Sequence, residues 1–387
     1  MKIKLLSILL LCLFTSCSNS PKNEEVSNSI IIDINDYENF IEKDFFEIFY
    51  IDTLIDLEFK EDFYLGNLYR FKKGINEYYA LDPFLGNLIR FSKDGKALNR
   101  IGEIGPGPME MPEIDDFAYD QENNELLLSS YSSMKISRFK PDGKFVSSIK
   151  LKEQLDQFSY SEDRYAVSMT YFNSLYKNFA LLNSEGDTIK TYFPFPTDLS
   201  PISLKFISGH ITNSIQGGFL FNEPASSKIY SISSNGDFEV KYEFIGGSDV
   251  WPERNKDLIG DFFQTLSKGE LTYITRFYEE STDYFFFNIN IKKSSSRAQI
   301  IDPRFGYYDH KDKITYVSKS HEALLRMKGP LEVENNMFYC YISKANLNEL
   351  KESDKEFADI LDNFPHLLLN DLSDFDTPVL VRFKVRI

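Results

Sequence analysis

Two glycine-marked hairpins in the first half of the chain constrain its fold more than any other feature. The segment from Asn87 to Lys96 is a strand ending in Phe, followed by a turn that contains Asp-Gly-Lys, and the segment from Met134 to Lys144 repeats this order. Tight hairpin turns need a positive φ, which glycine accepts without steric cost. The turn glycines Gly95 and Gly143 lie 48 residues apart, and a repeat of this length is typical of β-propeller blades.

Looser copies of the pattern continue towards the C-terminus. Turn glycines recur at Gly186 and Gly236, which lie 43 and 50 residues after their predecessors. A fifth unit is predicted from Tyr284 to Ile301, with serines in place of the turn glycine. A sixth unit is predicted from three strands, Ile314 to Val317, Asn336 to Ile342 and Val379 to Val385. Each unit is too small to bury both of its faces alone, so we expect the sheets to stack in a ring.

The N-terminal part of the domain is predicted to complete this ring. Order begins near Ser29, and Ile30 to Ile34 is a short strand candidate that we expect to join the last blade and close the ring. The 23 Tyr and 35 Phe among 387 residues favour β-structure, because aromatic side chains suit half-buried pleated surfaces. The predicted fold class is therefore all-β, a six-bladed β-propeller with two short helical insertions.

The two insertions carry the apolar spacing of amphipathic helices. The segment from Pro252 to Lys268 has apolar residues three and four apart and is followed by a C-cap glycine. The second helix is predicted to begin at Ser353, whose Ser-Asp-Lys-Glu sequence fits a capping box, and to end at Pro365. Such a stripe packs on a core or, alternatively, binds a partner.

A segment rich in glycine and proline, from Ile101 to Pro112, separates the two clearest units. A phosphate-binding loop must lead from a strand into a helix N-terminus with free backbone N–H groups. Here three prolines remove donors and a further strand follows from Asp116. The segment is therefore predicted to connect two blades.

The N-terminus has the features of an export signal. Lys2 and Lys4 precede an apolar run from Leu5 to Phe14, which is too short to span a bilayer as a helix and has the proportions of a secretory signal. The Thr-Ser-Cys sequence that ends at Cys17 resembles the lipobox of bacterial lipoproteins, in which the signal is cut before the cysteine and its thiol is lipidated. The alternative is an ordinary signal peptide with a chance cysteine.

Three regions are predicted on this basis. Residues 1–16 form a lipoprotein signal peptide, residues 17–28 a flexible tether that is too polar to bury a core, and residues 29–387 the propeller. A lipid on Cys17 would anchor the chain to a membrane, and the expected location is the outer membrane or cell surface. Cys340 is the cysteine left over in the mature chain, and we expect an inert buried thiol rather than a catalytic one.

The run from Leu81 to Leu151 resembles the six-bladed β-propeller lipoproteins of Bacteroidetes, relatives of NHL-repeat propellers. The matching elements are Leu81-Asp82, Phe91 to Lys96, the Ile-Gly to Gly-Pro-Met-Glu segment from Ile101 to Glu110, and Asp115-Asp116-Phe117. The Asp-Thr-Pro-Val-Leu-Val sequence that starts at Asp376 resembles their closing strand, with Thr where Asn is usual. The resemblance implies the fold and a lipid anchor, and it implies no particular ligand.

The sequence shows no catalytic, cofactor-binding or metal-binding constellation. Its four histidines lack metal-ligand spacing, and no Gly-x-Ser-x-Gly elbow occurs. Trp251 would either stack on a ligand at a propeller rim or anchor the helix that follows it. Tyr307, Tyr308 and His310 lie beside acidic residues and complete a candidate ligand or calcium rim, for which the alternative is a solvated acidic loop.

The net charge of −16 would repel phosphate backbones, so nucleic acid is not an expected partner. The leading prediction is a cell-envelope lipoprotein whose propeller binds or scaffolds a peptide, glycan or protein. The alternative, by fold analogy, is a propeller enzyme of the lactonase, lyase or glycosidase type with a site at the mouth of the axial channel. Carboxylates or histidines converging on calcium there would favour the enzyme, whereas an apolar plug would favour binding. A purely structural envelope component predicts no pocket.

Overall fold

The computed structural model describes residues 29–169, 173–195, 210–223, 226–246, 273–290, 303–368 and 376–386. Strands in these ranges form six sheets of four or five strands each. The sheets stand in a ring, because the first strand of each contacts the first strand of the next, and the sixth returns to the first. The predicted fold class, a six-bladed β-propeller, is confirmed.

The strands follow the chain in order around the ring. Three strands precede the first blade: β1 (Ile30–Asp33), β2 (Phe40–Lys43) and β3 (Phe49–Asp56). Blade 1 contains β4 (Arg70–Lys73), β5 (Glu77–Asp82), β6 (Asn87–Ser92) and β7 (Ala97–Ile101). Blade 2 contains β8 (Asp116–Asp120), β9 (Glu125–Ser130), β10 (Lys135–Phe139) and β11 (Phe145–Lys150). Blade 3 contains β12 (Gln157–Ser161), β13 (Arg164–Ser168), β14 (Lys177–Leu182) and β15 (Thr188–Pro194).

The remaining three blades take their last or fifth strands from the N-terminal segment. Blade 4 contains β16 (His210–Asn213), β17 (Phe219–Asn222), β18 (Lys228–Ile232) and β19 (Phe238–Ile245), with β1 outside β19. Blade 5 contains β20 (Tyr273–Glu280), β21 (Tyr284–Asn290), β22 (Pro303–Asp309) and β23 (Ile314–Ser318), with β2 outside β23. Blade 6 contains β24 (Lys328–Glu334), β25 (Met337–Ser343) and β26 (Pro378–Val385), with β3 as its outer strand.

Two strand assignments predicted from the sequence are wrong. The strand at Ile30 does not close the ring, because β1 pairs in parallel with β19 of blade 4, where Ile30 lies opposite Tyr242. The ring is closed instead by β3, which pairs antiparallel with β26. The strand at Ile314 belongs to blade 5 rather than to the sixth unit. The N-terminal segment thus covers the open edges of blades 4 and 5, which would otherwise expose unpaired backbone groups.

The predicted turn glycines are equivalent corners of the ring. Gly95 has a φ of +83°, and a Cβ there would lie 1.9 Å from the Asp56 carbonyl oxygen on the outer strand of the neighbouring blade 6. Gly143 has a φ of +88°, and a Cβ there would lie 3.3 Å from the Arg100 carbonyl oxygen of blade 1, which is a looser contact. Each hairpin therefore packs against the preceding blade, and the glycine permits that close approach.

Apolar side chains of the described residues form six clusters, one between each pair of neighbouring blades. Alternate side chains of strand β5 belong to two different clusters. Tyr78 and Ala80 belong to the cluster shared with blade 6, whereas Tyr79 and Leu81 belong to the cluster shared with blade 2. Because both faces of the blade are covered at β5, all six residues of this strand are buried.

Short helices are inserted around blades 5 and 6. The helices in the described ranges are α1 (Phe45–Ile48), α2 (Glu322–Arg326), α3 (Lys344–Ser353) and α4 (Lys355–Leu361), followed by a 3-10 turn (Pro365–Leu367). The stripe of the predicted second insertion packs on the core, with Phe357 and Leu361 buried. Its predicted start is wrong by one residue, because the Asp354 carboxylate accepts the Phe357 N–H and Ser353 ends the preceding helix.

Three further predictions concern the glycine- and proline-rich segment, Cys340 and the helix at Pro252. The glycine- and proline-rich segment connects β7 of blade 1 to β8 of blade 2, as predicted. Cys340 is a free, fully buried cysteine whose burial raises the pKa of its thiol. The helix predicted from Pro252 to Lys268 lies outside the described residues.

Among the residues that the structure describes, no helix is long and apolar enough to cross a membrane.

Candidate binding site on the propeller axis

The innermost strand of each blade (β4, β8, β12, β16, β20 and β24) borders the axis of the ring. The ends of these strands and the turns that follow them surround a cavity of about 470 Å³, which we call the vestibule. All six blades contribute to its wall. Among the described residues, its charged lining consists of two lysines and seven carboxylates: Lys72, Lys73, Asp120, Glu122, Glu162, Asp163, Glu279, Glu280 and Glu332.

The floor of the vestibule is formed by Lys72, Glu279 and Glu332, which we call the axial charge cluster. The Lys72 ammonium lies 2.7 Å from Glu332 Oε2 and 3.8 Å from Glu279 Oε1. Thr212 Oγ1 donates a hydrogen bond of 2.6 Å to Glu279 Oε2. Four blades therefore meet in one polar network, and each side chain fixes the position of another.

Burial and charge set the protonation states of this cluster. Burial raises the pKa of Glu279 to about 7, an effect that Lys72 opposes and Glu332 reinforces. For Lys72, burial acts to lower the pKa, but the carboxylates of Glu332 and Glu279 outweigh it and the pKa is raised. Lys72 is therefore a stable cation paired with Glu332, while Glu279 titrates near neutral pH.

A second, smaller chamber of about 30 Å³ lies on the other side of this cluster, and Lys72 and Glu279 line both spaces. Beside it, the Arg70 guanidinium lies 3.1 Å from Asp116 Oδ2 and donates to the Phe158 carbonyl oxygen at 2.9 Å. The Phe158 N–H donates to the same carboxylate at 2.9 Å. This buried pair ties blades 1, 2 and 3 together beneath the vestibule.

Several carboxylates of the vestibule wall are held by partners behind the wall. Glu280 Oε1 lies 2.7 Å from the Lys241 ammonium and accepts the Tyr242 hydroxyl at 2.5 Å. Asp120 lies 3.2 Å from Arg138, and Tyr160 donates to Asp163 at 2.8 Å. Their negative charges are thus largely offset or fixed by the protein itself.

Glu122 and Glu162 differ from these wall carboxylates. They lie in the turns that follow β8 and β12, and both are exposed at the rim of the vestibule. Within the described part of the chain, neither forms an ion pair. They give the entrance an excess of negative charge.

The residues predicted as a ligand rim lie elsewhere in the ring. Tyr307 is buried between blades 5 and 6 and stacks on Tyr316 at 5.2 Å, and Tyr308 faces the cluster between blades 4 and 5. His310 lies just after β22, with Nε2 3.4 Å from the Tyr242 hydroxyl, and its burial lowers its pKa. None of these three residues lines the vestibule or the chamber. Trp251 lies outside the described residues.

In the acidic loop beside His310, the Asp309 carboxylate accepts hydrogen bonds from the backbone of its own turn. Asp309 Oδ1 accepts the backbone N–H groups of Lys311 and Asp312 at 2.9 and 3.0 Å, which is a turn-forming role. Over the described ranges, no group of three or more His, Cys, Asp or Glu side chains is placed to hold a metal ion.

Sequence reasoning missed the vestibule because its residues come from six different strands. A weak signal was present: Lys72, Glu279 and Glu332 are charged residues inside or at the end of strand-like apolar runs. Lys72 and Glu279 line both the vestibule and the chamber, so charged side chains lie on the axis where an apolar plug would have favoured binding. The vestibule is also a pocket, which the purely structural alternative did not predict.

Comparisons with known proteins agree with this architecture. A sequence model of a domain of unknown function matches residues 29–384. A crystal structure from Bacteroides fragilis, of a protein that its description gives as exported, superposes with a TM-score of 0.71 at 16% identity, covering 92% of this chain and 99% of that one. A DUF4221 family member from Bacteroides vulgatus superposes with a TM-score of 0.55 at 10% identity, covering 87% and 98%. No curated protein matches the chain in sequence.

Proposed function

Because the chain belongs to the DUF4934 family and its propeller encloses an axial vestibule, we propose that it is a cell-envelope binding protein. The vestibule receives part of a peptide, glycan or protein partner, and the ring serves as its rigid frame. The protein is held at the outer membrane or cell surface by a lipid on Cys17.

One observation carries the binding function, namely the size and construction of the vestibule. Its volume of about 470 Å³ falls within the range of about 300–1,000 Å³ that is usual for ligand sites. Its wall is assembled from the innermost strands of all six blades, whose positions are fixed by the clusters between the blades. A ligand would therefore enter a preformed site and lose little free energy to ordering the protein.

The lipid anchor is supported by the basic start, the short apolar run and the small residues before Cys17. The protein from Bacteroides fragilis with a similar fold is described as exported, which is consistent with a location in the cell envelope. We further infer a kinship with the NHL-repeat-like six-bladed lipoproteins of Bacteroidetes, which rests on the hairpin pattern of blades 1 and 2.

The anchor is tested by fractionating cells that express the full chain. We expect the wild type in the membrane pellet and a Cys17→Ala variant in the detergent-free wash. A Cys340→Ala variant is the matched control, and it should remain with the membrane. Retention of Cys17→Ala in the pellet would contradict the lipid anchor and leave the binding function untouched.

The binding function is tested by a pull-down from envelopes with the vestibule blocked. Gln121 and Ser161 line the vestibule near its entrance, and a Gln121→Trp/Ser161→Trp variant fills the entrance with two indole rings. The control is Glu185→Trp/Glu239→Trp, which places the same rings on exposed positions of outer hairpins. We expect the blocked variant to lose a partner that the wild type and the control both retain. Equal capture by all three proteins would refute binding in the vestibule.

A further inference from the structure

We propose that the ligand presents a primary ammonium group to the vestibule, as a lysine side chain does, and that Glu279 on the floor receives it. This inference rests on the proposed function, because it names the chemistry of a ligand for the same cavity. Its evidence is the distribution of satisfied and available charges within the lining.

Both lysines of the lining already have carboxylate partners. The Lys72 ammonium lies 2.7 Å from Glu332, and the Lys73 ammonium lies 2.6 Å from Glu334. A phosphate or carboxylate entering the vestibule would have to displace one of these carboxylates and would face the remaining negative charges of the wall. An anionic ligand is therefore disfavoured.

The carboxylates divide into two groups. Four of the seven are paired or fixed by protein donors (Asp120, Asp163, Glu280 and Glu332). The other three have fewer partners: Glu122 and Glu162 at the rim form no ion pair within the described part of the chain, and Glu279 on the floor has only the long 3.8 Å contact with Lys72 and the hydrogen bond from Thr212. Negative charge thus lies both at the entrance and at the floor where a cationic ligand would bind. The rim carboxylates would attract such a ligand from solution.

Glu279 is the decisive member because it is buried. Its side chain is 8% exposed, Oε2 accepts the Thr212 hydroxyl at 2.6 Å, and Oε1 lies 3.8 Å from the Lys72 ammonium. That last distance is too long for a hydrogen bond. A carboxylate oxygen has lone pairs for more than one donor, so Oε1 keeps acceptor capacity that an ammonium donor from a ligand in the vestibule would use.

The neighbouring cations do not cancel this site. Lys72 faces Glu279 from β4, but its charge is offset by Glu332 on β24. Arg70, also on β4, is paired with Asp116 at 3.1 Å. The charge left over at the floor is therefore that of the Glu279 carboxylate.

The ammonium could come from a lysine side chain in a peptide or from a free polyamine, and the probes separate these sources. The affinities of acetyl-trilysine amide, spermidine and acetyl-triglutamine amide are compared by isothermal titration calorimetry. The salt concentration is about 0.15 M, at which electrostatic attraction over longer distances is screened. Binding of the trilysine probe alone identifies a peptide, and binding of both amines identifies the ammonium group itself. The neutral triglutamine probe should not bind.

Three variants locate the binding. Glu279→Gln keeps the size of the side chain and its bond to Thr212 but removes the charge, and it should weaken trilysine binding by at least about 30-fold. Glu122→Gln/Glu162→Gln should weaken it by about fivefold. Glu185→Gln/Glu239→Gln removes the same number of exposed charges outside the vestibule, and it should change affinity by less than about twofold. Unchanged urea midpoints show that the variants are folded.

The proposal is overturned if no amine binds, if triglutamine binds as well as trilysine, or if the outer control loses as much affinity as the vestibule variants. If no amine binds but the tryptophan-blocked variant still loses its partner from envelopes, the ammonium assignment fails while the binding function stands. If that partner is also captured by the blocked variant, both fail.

Discussion

The contact between Gly95 and the outer strand of blade 6 gives the sharpest test of the closed ring. In Gly95→Ala the new Cβ would lie 1.9 Å from the Asp56 carbonyl oxygen at a φ of +83°. The left-handed backbone costs an alanine about 1–2 kcal/mol, and relieving such an overlap with backbone costs about 1–3 kcal/mol more. We therefore expect the free energy of unfolding to fall by about 2–5 kcal/mol.

Gly143→Ala is the matched control for this substitution. Its φ of +88° imposes the same backbone strain, but the nearest atom, the Arg100 carbonyl oxygen, lies 3.3 Å away. It should cost only about 1–2 kcal/mol. Urea unfolding followed by circular dichroism should place the Gly95→Ala midpoint about 1 M below that of the wild type and clearly below the control. Equal midpoints for the two variants would refute the close contact that joins blade 1 to blade 6.

Three further outcomes follow from buried groups. Arg70→Met leaves the Asp116 carboxylate buried without its cation and should lower the free energy of unfolding by about 3–5 kcal/mol. Adding Asp116→Asn should restore at least half of that loss, and additive losses in urea unfolding would contradict the pairing. Because burial raises the pKa of Glu279 to about 7 and only the ionised carboxylate pairs with an ammonium, trilysine affinity measured by calorimetry should rise from pH 6 to pH 8. Glu279→Gln should remove this rise, and a rise that persists would assign it to another group. Cys340 should react with a thiol reagent only at urea concentrations that unfold the ring, since its burial is complete; fast labelling of the native protein would be inconsistent with that burial.

The repeating part of the fold could be predicted because its signals are local. A tight turn with a glycine after an apolar strand indicates a hairpin wherever it occurs, and four such turns at similar spacing indicate a ring of blades. The hairpins at Gly95 and Gly143 accordingly lie where the sequence places them. The buried state of Cys340 follows from the apolar strand around it in the same way.

Features that depend on distant pairing could not be predicted. The strand at Ile30 has no periodic feature that distinguishes the edge of blade 4 from that of blade 6, and its partner lies more than 200 residues away. No turn glycine precedes the strand at Ile314 to show which blade it belongs to. The sequence therefore places it in the sixth unit, whereas the structure places it in blade 5. The vestibule depends on two or three residues from each of six strands, and no spacing in the sequence connects Lys72 with Glu279.

The central claim, that the vestibule is the place where the partner binds, is tested most directly by photo-crosslinking in living cells. A photoreactive phenylalanine analogue is introduced at Gln121, on the vestibule wall, or at Glu185, on an outer hairpin. We predict a discrete crosslinked product from position 121 that disappears when Glu279→Gln is added, and no such product from position 185. The same product from both positions, or a product only from position 185, would show that the partner binds outside the axis of the ring.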